Sequence, residues 1–487
     1  MRYKRVMLLR PEYKQSHYEY VGLPTGLGYI SESLAKNNIV QEVVDMLLGY
    51  DYACLKERII VFKPDLIGIN MMSFRFKDHY ALLEKIKKDF PGVHIVAGGP
   101  HISSFREKAL SESSAIDYGV VMEGEEALIE LCRSDMEINS IKGILYRKEG
   151  TIIYTGDRPF RLDLDNVDFP RYQYFEINKY PKFISLVTSR GCPHSCIFCP
   201  VQLTIGKKLR VRSAGSVLNE VDYWYKKGLR VFNIVDDNFA FNKKRVLEIC
   251  AGIKEKGFKD LVLSCRNGIR ADTVDREVLL AMREAGFNYL AFGVESASEK
   301  MLKIIKKGES LKDIEQAVKD ACELGFMVTL FFIVGLPYET EQDVKESLRF
   351  AVKYPVFDVR FYNPMPFPGT ELYQWVKSNG YFNKNTEDFL NASSHWVNRP
   401  IFFTPELSNS KRIKLFKRLN QRLKKHTLST KLRFSQDIKK LFNDLGIPPF
   451  FSTILARLYY EPIFQTLVIE SGFAHKLKNF LGKKKQK

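Results

Sequence analysis

The chain has 487 residues, 45% of them apolar and 27% charged, which is typical of a soluble globular protein and too long for one ordinary domain. No run of about 18 uninterrupted apolar residues is present, so no membrane-spanning helix is expected, and the first residues lack the apolar core of a signal peptide. The net charge of +18 is uneven, because residues 411–487 hold 19 Lys and Arg against four acidic residues and so supply +15 of it.

Residues 1–155 alternate strand-like runs with amphipathic helical patterns. The strand candidates are RVMLL (5–9), LIGIN (66–70), HIVAGG (94–99) and YGVVM (118–122). Strand–helix alternation of this kind predicts a doubly wound, mostly parallel sheet with helices on both faces, a Rossmann-like domain. The stretch KGILYRKEGTIIYTG (142–156) predicts an antiparallel hairpin at its end.

Three further regions follow. Residues 156–182 are rich in proline and charge and are interpreted as a linker. Residues 183–395 contain six strand–helix units, which predicts an α/β domain built as a partial (β/α)6 barrel of the TIM type. Residues 396–487 form a basic helical C-terminal region, in which Leu415, Phe416, Leu419 and Leu423 fall on one helix face.

A cluster of three cysteines, Cys192, Cys196 and Cys199, lies in the stretch TSRGCPHSCIFCPV. The other five of the eight cysteines are scattered, so the chain is expected to occupy a reducing cytoplasm, where soft thiolates suit iron–sulfur clusters and zinc. A structural zinc needs four ligands, and no second C-x-x-C supplies them. Three cysteines can hold three irons of a cubane and leave the fourth open, and the loop after a first barrel strand lies on the catalytic face.

The pattern C-x-x-x-C-x-φ-C after a first barrel strand resembles the signature of the radical S-adenosylmethionine (SAM) enzymes. The resemblance covers about residues 183–395 and implies a [4Fe–4S] cluster on the three cysteines, with SAM chelating the open iron. Reductive cleavage of SAM then gives a 5′-deoxyadenosyl radical that abstracts hydrogen from the substrate.

Further stretches match the same family in serial order. They are VDDN (235–238), FGVESASEKML (292–302) and VGLPYET (334–340). The resemblance implies SAM-binding residues, which are Phe198, Asp236, Asp237, Glu295, Ser296, Gly335 and Pro337. A helix N-cap for Asp237, and the polar end of a strand for Glu295 and Ser296, remain open as alternatives.

In the N-terminal domain, three stretches put glycine or small residues at strand-to-helix transitions, LPTGLGYISESL (23–34), AGGPHIS (97–103) and VMEGEEALIELC (121–132). As a set they resemble the cobalamin-binding-like domain that precedes one large group of radical SAM cores. The resemblance implies cobalamin contacts at Thr25, Gly26, Gly28, Ser73, Gly98, Gly99, His101, Glu123 and Gly124. The cobalt-ligating motif D-x-H-x-x-G is absent. His101 is therefore open as a ligand or a structural residue, and Glu123 and Glu125 as a cofactor contact or a helix cap.

The function expected from the resemblance is cobalamin-dependent methyl transfer to an unactivated carbon of a small or apolar substrate. Radical ring closure or a C–C or C–H rearrangement, with or without cobalamin, remains open, as does a non-catalytic corrinoid- or SAM-binding sensor. The resemblance also implies an electron donor such as flavodoxin or ferredoxin.

The basic C-terminal region supports two interpretations. Its amphipathic helices could contact the inner face of a membrane, which would favour a lipid-like substrate, or they could form a solvated cap on the barrel. No nucleic-acid partner is expected, because no interleaved aromatics or recognised RNA-binding module accompany the charge.

Overall fold

The computed structural model describes residues 1–12, 22–133, 135–391 and 400–444, and it contains two large sheets, each covered by helices. The first sheet and its helices are β1 (Arg5–Arg10), α1 (Thr25–Lys36), β2 (Val40–Asp45), α2 (Tyr52–Phe62), β3 (Leu66–Asn70), α3 (Phe76–Asp89), β4 (His94–Gly98), α4 (Pro100–Phe105), α5 (Glu107–Glu112), β5 (Tyr118–Val120), α6 (Glu125–Cys132), β6 (Ile144–Lys148) and β7 (Thr151–Tyr154).

The first sheet has the spatial order β2-β1-β3-β4-β5-β6-β7. The strands β1 to β5 pair in parallel, and β6 and β7 form the predicted antiparallel hairpin at the edge. The doubly wound topology is confirmed. Strand β2 was missed because its sequence VQEVVD contains Gln41 and Glu42 and has no continuous apolar run. Polar residues are tolerated there because β2 is an edge strand that pairs only with β1.

The second sheet begins at Phe183 and lies after the proline-rich segment. Its elements are β8 (Phe183–Leu186), β9 (Ser189–Arg190), α7 (Val201–Thr204), β10 (Arg210–Val211), α8 (Ala214–Lys226), β11 (Val231–Ile234), α9 (Lys243–Glu255), β12 (Val262–Ile269), α10 (Arg276–Glu284), β13 (Phe287–Glu295), α11 (Glu299–Ile304), α12 (Leu311–Glu323), β14 (Met327–Ile333), α13 (Glu341–Ala351), β15 (Asp358–Tyr362), α14 (Glu371–Ser378), α15 (Thr386–Asn391) and α16 (Asn409–Asp444).

Six strands of the second sheet pair in parallel in the order β15-β14-β13-β12-β11-β8, which confirms the six-unit partial barrel. The strands β9 and β10 form a separate two-stranded ladder beside it. Because all six strands run the same way, the loops that follow them gather at one carboxyl edge, where catalytic loops of such barrels lie.

Local sequence explains the helices that cover this sheet. Ser310 caps α12 by accepting a hydrogen bond from the Asp313 amide, and Ile314, Val318 and Ala321 are buried along one stripe. The next helix, α13, starts with a capping box between Thr340 and Asp343.

The two faces of the second sheet differ in polarity. On the outer face, Leu330 and Phe332 of β14 and Phe361 of β15 are buried beneath the helices, and the rings of Phe332 and Phe361 stack at 4.6 Å. The inner face carries Thr329 and Arg360 in alternation with them. The apolar core therefore lies between the sheet and its helices, and polar groups point into the half-barrel.

The helix α16 packs its apolar face against the rest of the chain. The residues predicted to share that face, Leu415, Phe416, Leu419 and Leu423, are all buried. This part of the C-terminal region thus has its apolar face occupied, which favours the cap over an interfacial helix. The second apolar stretch, 450–470, lies outside the described residues. Within those residues, no helix combines the length and apolarity needed to cross a bilayer.

Replacing Phe332 with alanine should destabilise the barrel by about 3–5 kcal/mol, because it leaves a ring-sized cavity in a fully buried aromatic stack. Urea unfolding of the full chain followed by circular dichroism measures this. The control is Leu280→Ala, whose side chain is exposed and whose cost should stay within about 0.5 kcal/mol. Equal unfolding midpoints for the two variants would contradict the assignment.

Candidate functional site

The three cysteines lie in the loop that follows β8 and β9 at the carboxyl edge of the second sheet. The loop turns at Gly191, where φ is +88° and an added Cβ would lie 2.4 Å from the Lys208 carbonyl oxygen, so only glycine fits. Backbone hydrogen bonds hold it on both sides, from the Cys192 amide to Gly206 O (3.2 Å) and from the Ile197 amide to Ile305 O (3.1 Å).

The donor set of this loop fits an iron–sulfur cubane better than a single ion. Cys192, Cys196 and Cys199 are half-buried and form no disulfide, and burial raises the pKa of each thiol, that of Cys199 to about 11. In the described part of the chain, no three His, Cys, Asp or Glu side chains converge on one ion. A cubane needs no such convergence, because each thiolate binds a different iron. Phe198, between two of the cysteines, packs partly against the core.

The two adjacent aspartates after β11 have different environments. Asp236 is buried and accepts hydrogen bonds from the Thr188 amide (2.6 Å), the Thr188 hydroxyl (2.6 Å) and the Ser189 hydroxyl (2.7 Å). It therefore anchors the backbone just before the cysteine loop. Asp237 accepts no hydrogen bond from any described residue, and burial together with the charge of Asp236 raises its pKa to about 6. It is not a helix N-cap, since Asn242 caps α9.

Glu295, at the end of β13, adopts φ +62°, a strained conformation for a non-glycine residue. Its carboxylate folds back over Gly293, where an added Cβ would lie 2.6 Å from Glu295 Oε1, and it lies 3.4 Å from the Lys307 ammonium. Burial raises its pKa. Ser296 is buried and accepts from the Ser298 amide (3.3 Å). Glu295 thus lies at the barrel mouth, and Ser296 supports the turn.

The turn after β14 carries Gly335 and Pro337, and both are buried. The backbone at Gly335 has φ +103°, and the carboxylate of Glu339 accepts from the Gly335 and Leu336 amides at 2.5 and 3.3 Å. The guanidinium of Arg412 on α16 lies against Gly335, where any side chain would collide with it. The Glu339 carboxylate within the turn and Arg412 of the C-terminal helix therefore hold the turn in one conformation.

A cavity of about 370 Å³ lies between the two sheets. One wall is the carboxyl edge of the first sheet with the start of α1, and the other is the segment around β9 and β11. From the second wall, the loops after β8 and β11, the strand β9 and the end of α7 contribute Val187, Ser189, Arg190, Thr204, Ile205, Val235, Asp236 and Asp237. Its size is within the range of small-molecule and cofactor sites, and most of its surface is apolar.

Six of the nine residues predicted to contact cobalamin line this cavity, namely Thr25, Gly26, Gly98, Gly99, Glu123 and Gly124. An added Cβ at Gly26 would meet nothing within 4 Å, so the open space reaches the backbone. Asn70, which the sequence analysis missed, also lines the cavity, and its buried Oδ1 has no hydrogen-bond partner among the described residues. An apolar space with bare glycines and an orphaned amide oxygen fits a large bound group.

Three predicted residues lie outside the cavity lining. A Cβ on Gly28 would collide with Tyr172 and Pro170, so this glycine serves packing. Ser73 is buried, and His101 is fully buried with its Nε2 2.7 Å from the Tyr80 hydroxyl and its ring stacked on Phe76. Burial lowers the pKa of His101 to about 3. Its environment is that of a structural residue, as one of the two interpretations held.

Arg190, directly before Gly191, links the two walls, and the sequence analysis missed it. Its guanidinium pairs with Glu123 (2.9 Å) and Glu125 (2.7 Å), and Arg210 pairs with Glu123 at 2.8 Å. Burial would lower the pKa of Arg190, but the two carboxylates outweigh it and raise the pKa. Glu123 and Glu125 therefore bind arginines of the β9–β10 ladder. Local spacing carries no signal for pairs more than 60 residues apart.

Comparisons with known proteins agree with this arrangement. The profile of the Radical SAM superfamily matches residues 186–351, and that of the B12 binding domain matches residues 16–132. An uncharacterized methyltransferase of Pyrococcus horikoshii is 30% identical over 78% of this chain and 84% of its own. The cytidylyl-2-hydroxyethylphosphonate methyltransferase of Streptomyces wedmorensis is 26% identical over 76% of this chain and 81% of its own.

The fold also matches solved structures. The radical SAM methyltransferase TsrM of Kitasatospora setae, with cobalamin and a [4Fe-4S] cluster bound, has a TM-score of 0.67 at 18% identity, covering 85% of each chain. The cobalamin-dependent radical enzyme OxsB, with aqua-cobalamin and SAM bound, has a TM-score of 0.66 at 17% identity, covering 97% of this chain and 75% of its own.

The radical SAM match implies a [4Fe–4S] cluster and SAM, and the B12 match implies cobalamin. With both matches in the expected order and a 30% identical relative aligned over most of its length, the chain belongs to the radical SAM superfamily and carries a B12 binding domain ahead of its radical SAM domain.

Proposed function

We propose that the protein transfers a methyl group to an unactivated carbon in a cobalamin-dependent radical SAM reaction. The observation that carries the proposal is the cavity that lies between the two sheets. It is lined by the predicted cobalamin residues on one side and by Asp236 and Asp237 of the SAM domain on the other. Two cofactors that open onto one space can act on one substrate. The names of the methyltransferase relatives support the same reaction.

Each group of residues has a separate task in this proposal. The three cysteines would hold three irons, and Asp237, Glu295 and the 335–337 turn would contact SAM at the carboxyl edge. When bound, the cluster and SAM supply a carbon radical by one-electron reduction, and cobalamin supplies the methyl group. Asp236 keeps the segment before Cys192 in place through its three hydrogen bonds. Most of the cavity wall is apolar, which lowers the number of ordered water contacts near reactive species.

Radical ring closure is the second candidate. The anaerobic magnesium-protoporphyrin IX monomethyl ester cyclase of Cereibacter sphaeroides is 25% identical over 77% of this chain and 64% of its own. The name of this relative is the observation that favours ring closure. Iron without cobalt in the reconstituted protein would favour ring closure over methyl transfer.

The partners follow from the reaction. We expect a small-molecule substrate and a flavodoxin- or ferredoxin-type electron donor, since the cluster must be reduced from outside. Contact of residues 445–487 with a membrane surface stays a prediction, because they lie outside the described residues. Cosedimentation of wild type and a 470–487 deletion with anionic vesicles tests it, and equal binding would contradict it.

Cys196→Ala should lower the iron of anaerobically reconstituted protein from about four per chain to well below one, since two thiolates hold a cubane poorly. Iron and sulfide assays with an absorption spectrum measure this. Cys250→Ala is the matched control, because Cys250 is buried in α9 away from the loop and its loss should leave iron unchanged. Full iron in Cys196→Ala would contradict the ligand assignment.

Gly26→Leu should weaken hydroxocobalamin binding about tenfold or more while leaving iron unchanged, because the new side chain enters open cavity space without a clash in the protein. Cobalt per chain after gel filtration is the readout. Gly92→Leu is the control, since Gly92 is exposed and also meets nothing within 4 Å. Wild-type cobalt in Gly26→Leu would contradict cobalamin binding in this cavity.

A further inference from the structure

The inner face of the second sheet carries two arginines that line neither the intersheet cavity nor the cysteine loop. Val359 and Phe361, on either side of Arg360 in β15, are buried on the outer face, so Arg360 projects inward. On β12, Cys265 is buried on the outer face and Arg266, next along the strand, projects inward. Both arginines are exposed within the half-barrel.

Arg266 is a cation without a counter-ion in the part of the chain that the structure describes. Its guanidinium lies over the ring of Tyr289, 4.4 Å from the centroid. Tyr289 is itself held by a 2.6 Å hydrogen bond between its hydroxyl and that of Thr329. Thr329 is paired in register with Asp358, the carboxylate that Arg360 engages. Arg266 and Arg360 therefore lie at the two ends of one row of contacts that crosses the inner face. Partial desolvation in the half-barrel lowers the pKa of Arg266, Tyr289 opposes this, and the charge of Arg360 adds to it.

Arg360 has one carboxylate partner, Asp358, which accepts from Arg360 Nε at 2.9 Å. Among the described residues at this position, two guanidiniums face one carboxylate, so one positive charge is left unbalanced. Tyr362 stands next to Arg360 on the same face, and its ring lies 6.0 Å from that of Phe331. The surroundings thus combine an unneutralised positive charge with flat aromatic surface.

We propose that Arg266 and Arg360 bind an anionic group of the substrate, a carboxylate or a phosphate, inside the half-barrel. Guanidinium forks match both groups in a bidentate way, and an anion here would balance the positive charge that Asp358 leaves uncompensated. A substrate anchored there extends toward the carboxyl edge that carries Cys192, Cys196 and Cys199. The substrate is thus expected to be an anion. This expectation rests on the proposed function only because that function places the substrate inside the barrel.

A purely structural role for the pair is the competing explanation. In that case the contact of its guanidinium with the Tyr289 ring would be the whole role of Arg266, since an exposed guanidinium needs no counter-ion. In the described ranges, Asp358 is the carboxylate at this position, and Arg360 already engages it. The test therefore asks whether Arg266 is free to bind an added anion.

Labelling of the full-length protein with phenylglyoxal, mapped by peptide mass spectrometry, gives this answer on the wild type. Arg266 and Arg360 should react in anion-poor buffer and be protected by inorganic phosphate or by acetate. Protection by phosphate alone points to a phosphate group, and protection by acetate alone to a carboxylate. Arg422, exposed on α16, should react equally in every condition. An Arg266 that never reacts, or that neither anion protects, overturns the proposal.

Equilibrium dialysis with labelled phosphate and acetate adds a variant series. Arg266→Gln should weaken binding of the protecting anion about tenfold, Arg266→Lys should weaken it less, and Arg422→Gln should leave it unchanged. Wild-type affinity in Arg266→Gln would sink the proposal. The readout needs no cluster, SAM or cobalamin, so a failed anion site leaves the iron and cobalt tests intact, and failed cofactor loading leaves this result intact.

Discussion

The position of the cysteine loop relative to the first sheet depends on one ion network. Arg190 lies directly before Gly191, and its guanidinium is held by Glu123 and Glu125 of the first sheet. Arg210 on the neighbouring strand β10 joins through Glu123. These groups are largely buried, so removing one partner would strand a charge at a cost of about 3–5 kcal/mol. The network thus fixes the position of one wall of the cavity relative to the other.

The same segment is held from its other side by Asp236. Its carboxylate accepts hydrogen bonds from Thr188 and Ser189. The neighbouring Asp237 also lines the cavity, and its carboxylate has no hydrogen-bond partner among the described residues. Adjacent aspartates thereby divide into one that supports the loop and one that is available to a ligand. The cavity between the two sheets therefore has mostly apolar walls and polar groups at its rim. Such an arrangement suits chemistry from which water must be kept away.

Much of the fold could be predicted because its helices and strands follow from the spacing of apolar residues along the chain. The six strands of the barrel and the hairpin at the end of the first sheet were predicted from apolar runs, and the cysteine loop from its spacing. Strand β2 was missed because an edge strand tolerates polar residues such as Gln41 and Glu42. His101 could not be assigned from sequence, since its burial against Phe76 and Tyr80 depends on how α3 and α4 pack.

The order of the amino acids already specifies the reactive groups, which are three thiolates in one loop and glycines at strand ends. Its alternating strands and helices also place the thiolates and the glycines at carboxyl edges of sheets. Which of these groups come into contact depends on the tertiary structure. It paired Arg190 with glutamates more than 60 residues away. It tied the Asp236 carboxylate to Thr188 and Ser189 while leaving Asp237 without a partner among the described residues, and it brought Arg266 and Arg360 from separate strands onto one inner face. Spacing constrains neighbours along the chain, whereas contacts between sheets follow from how their buried faces pack.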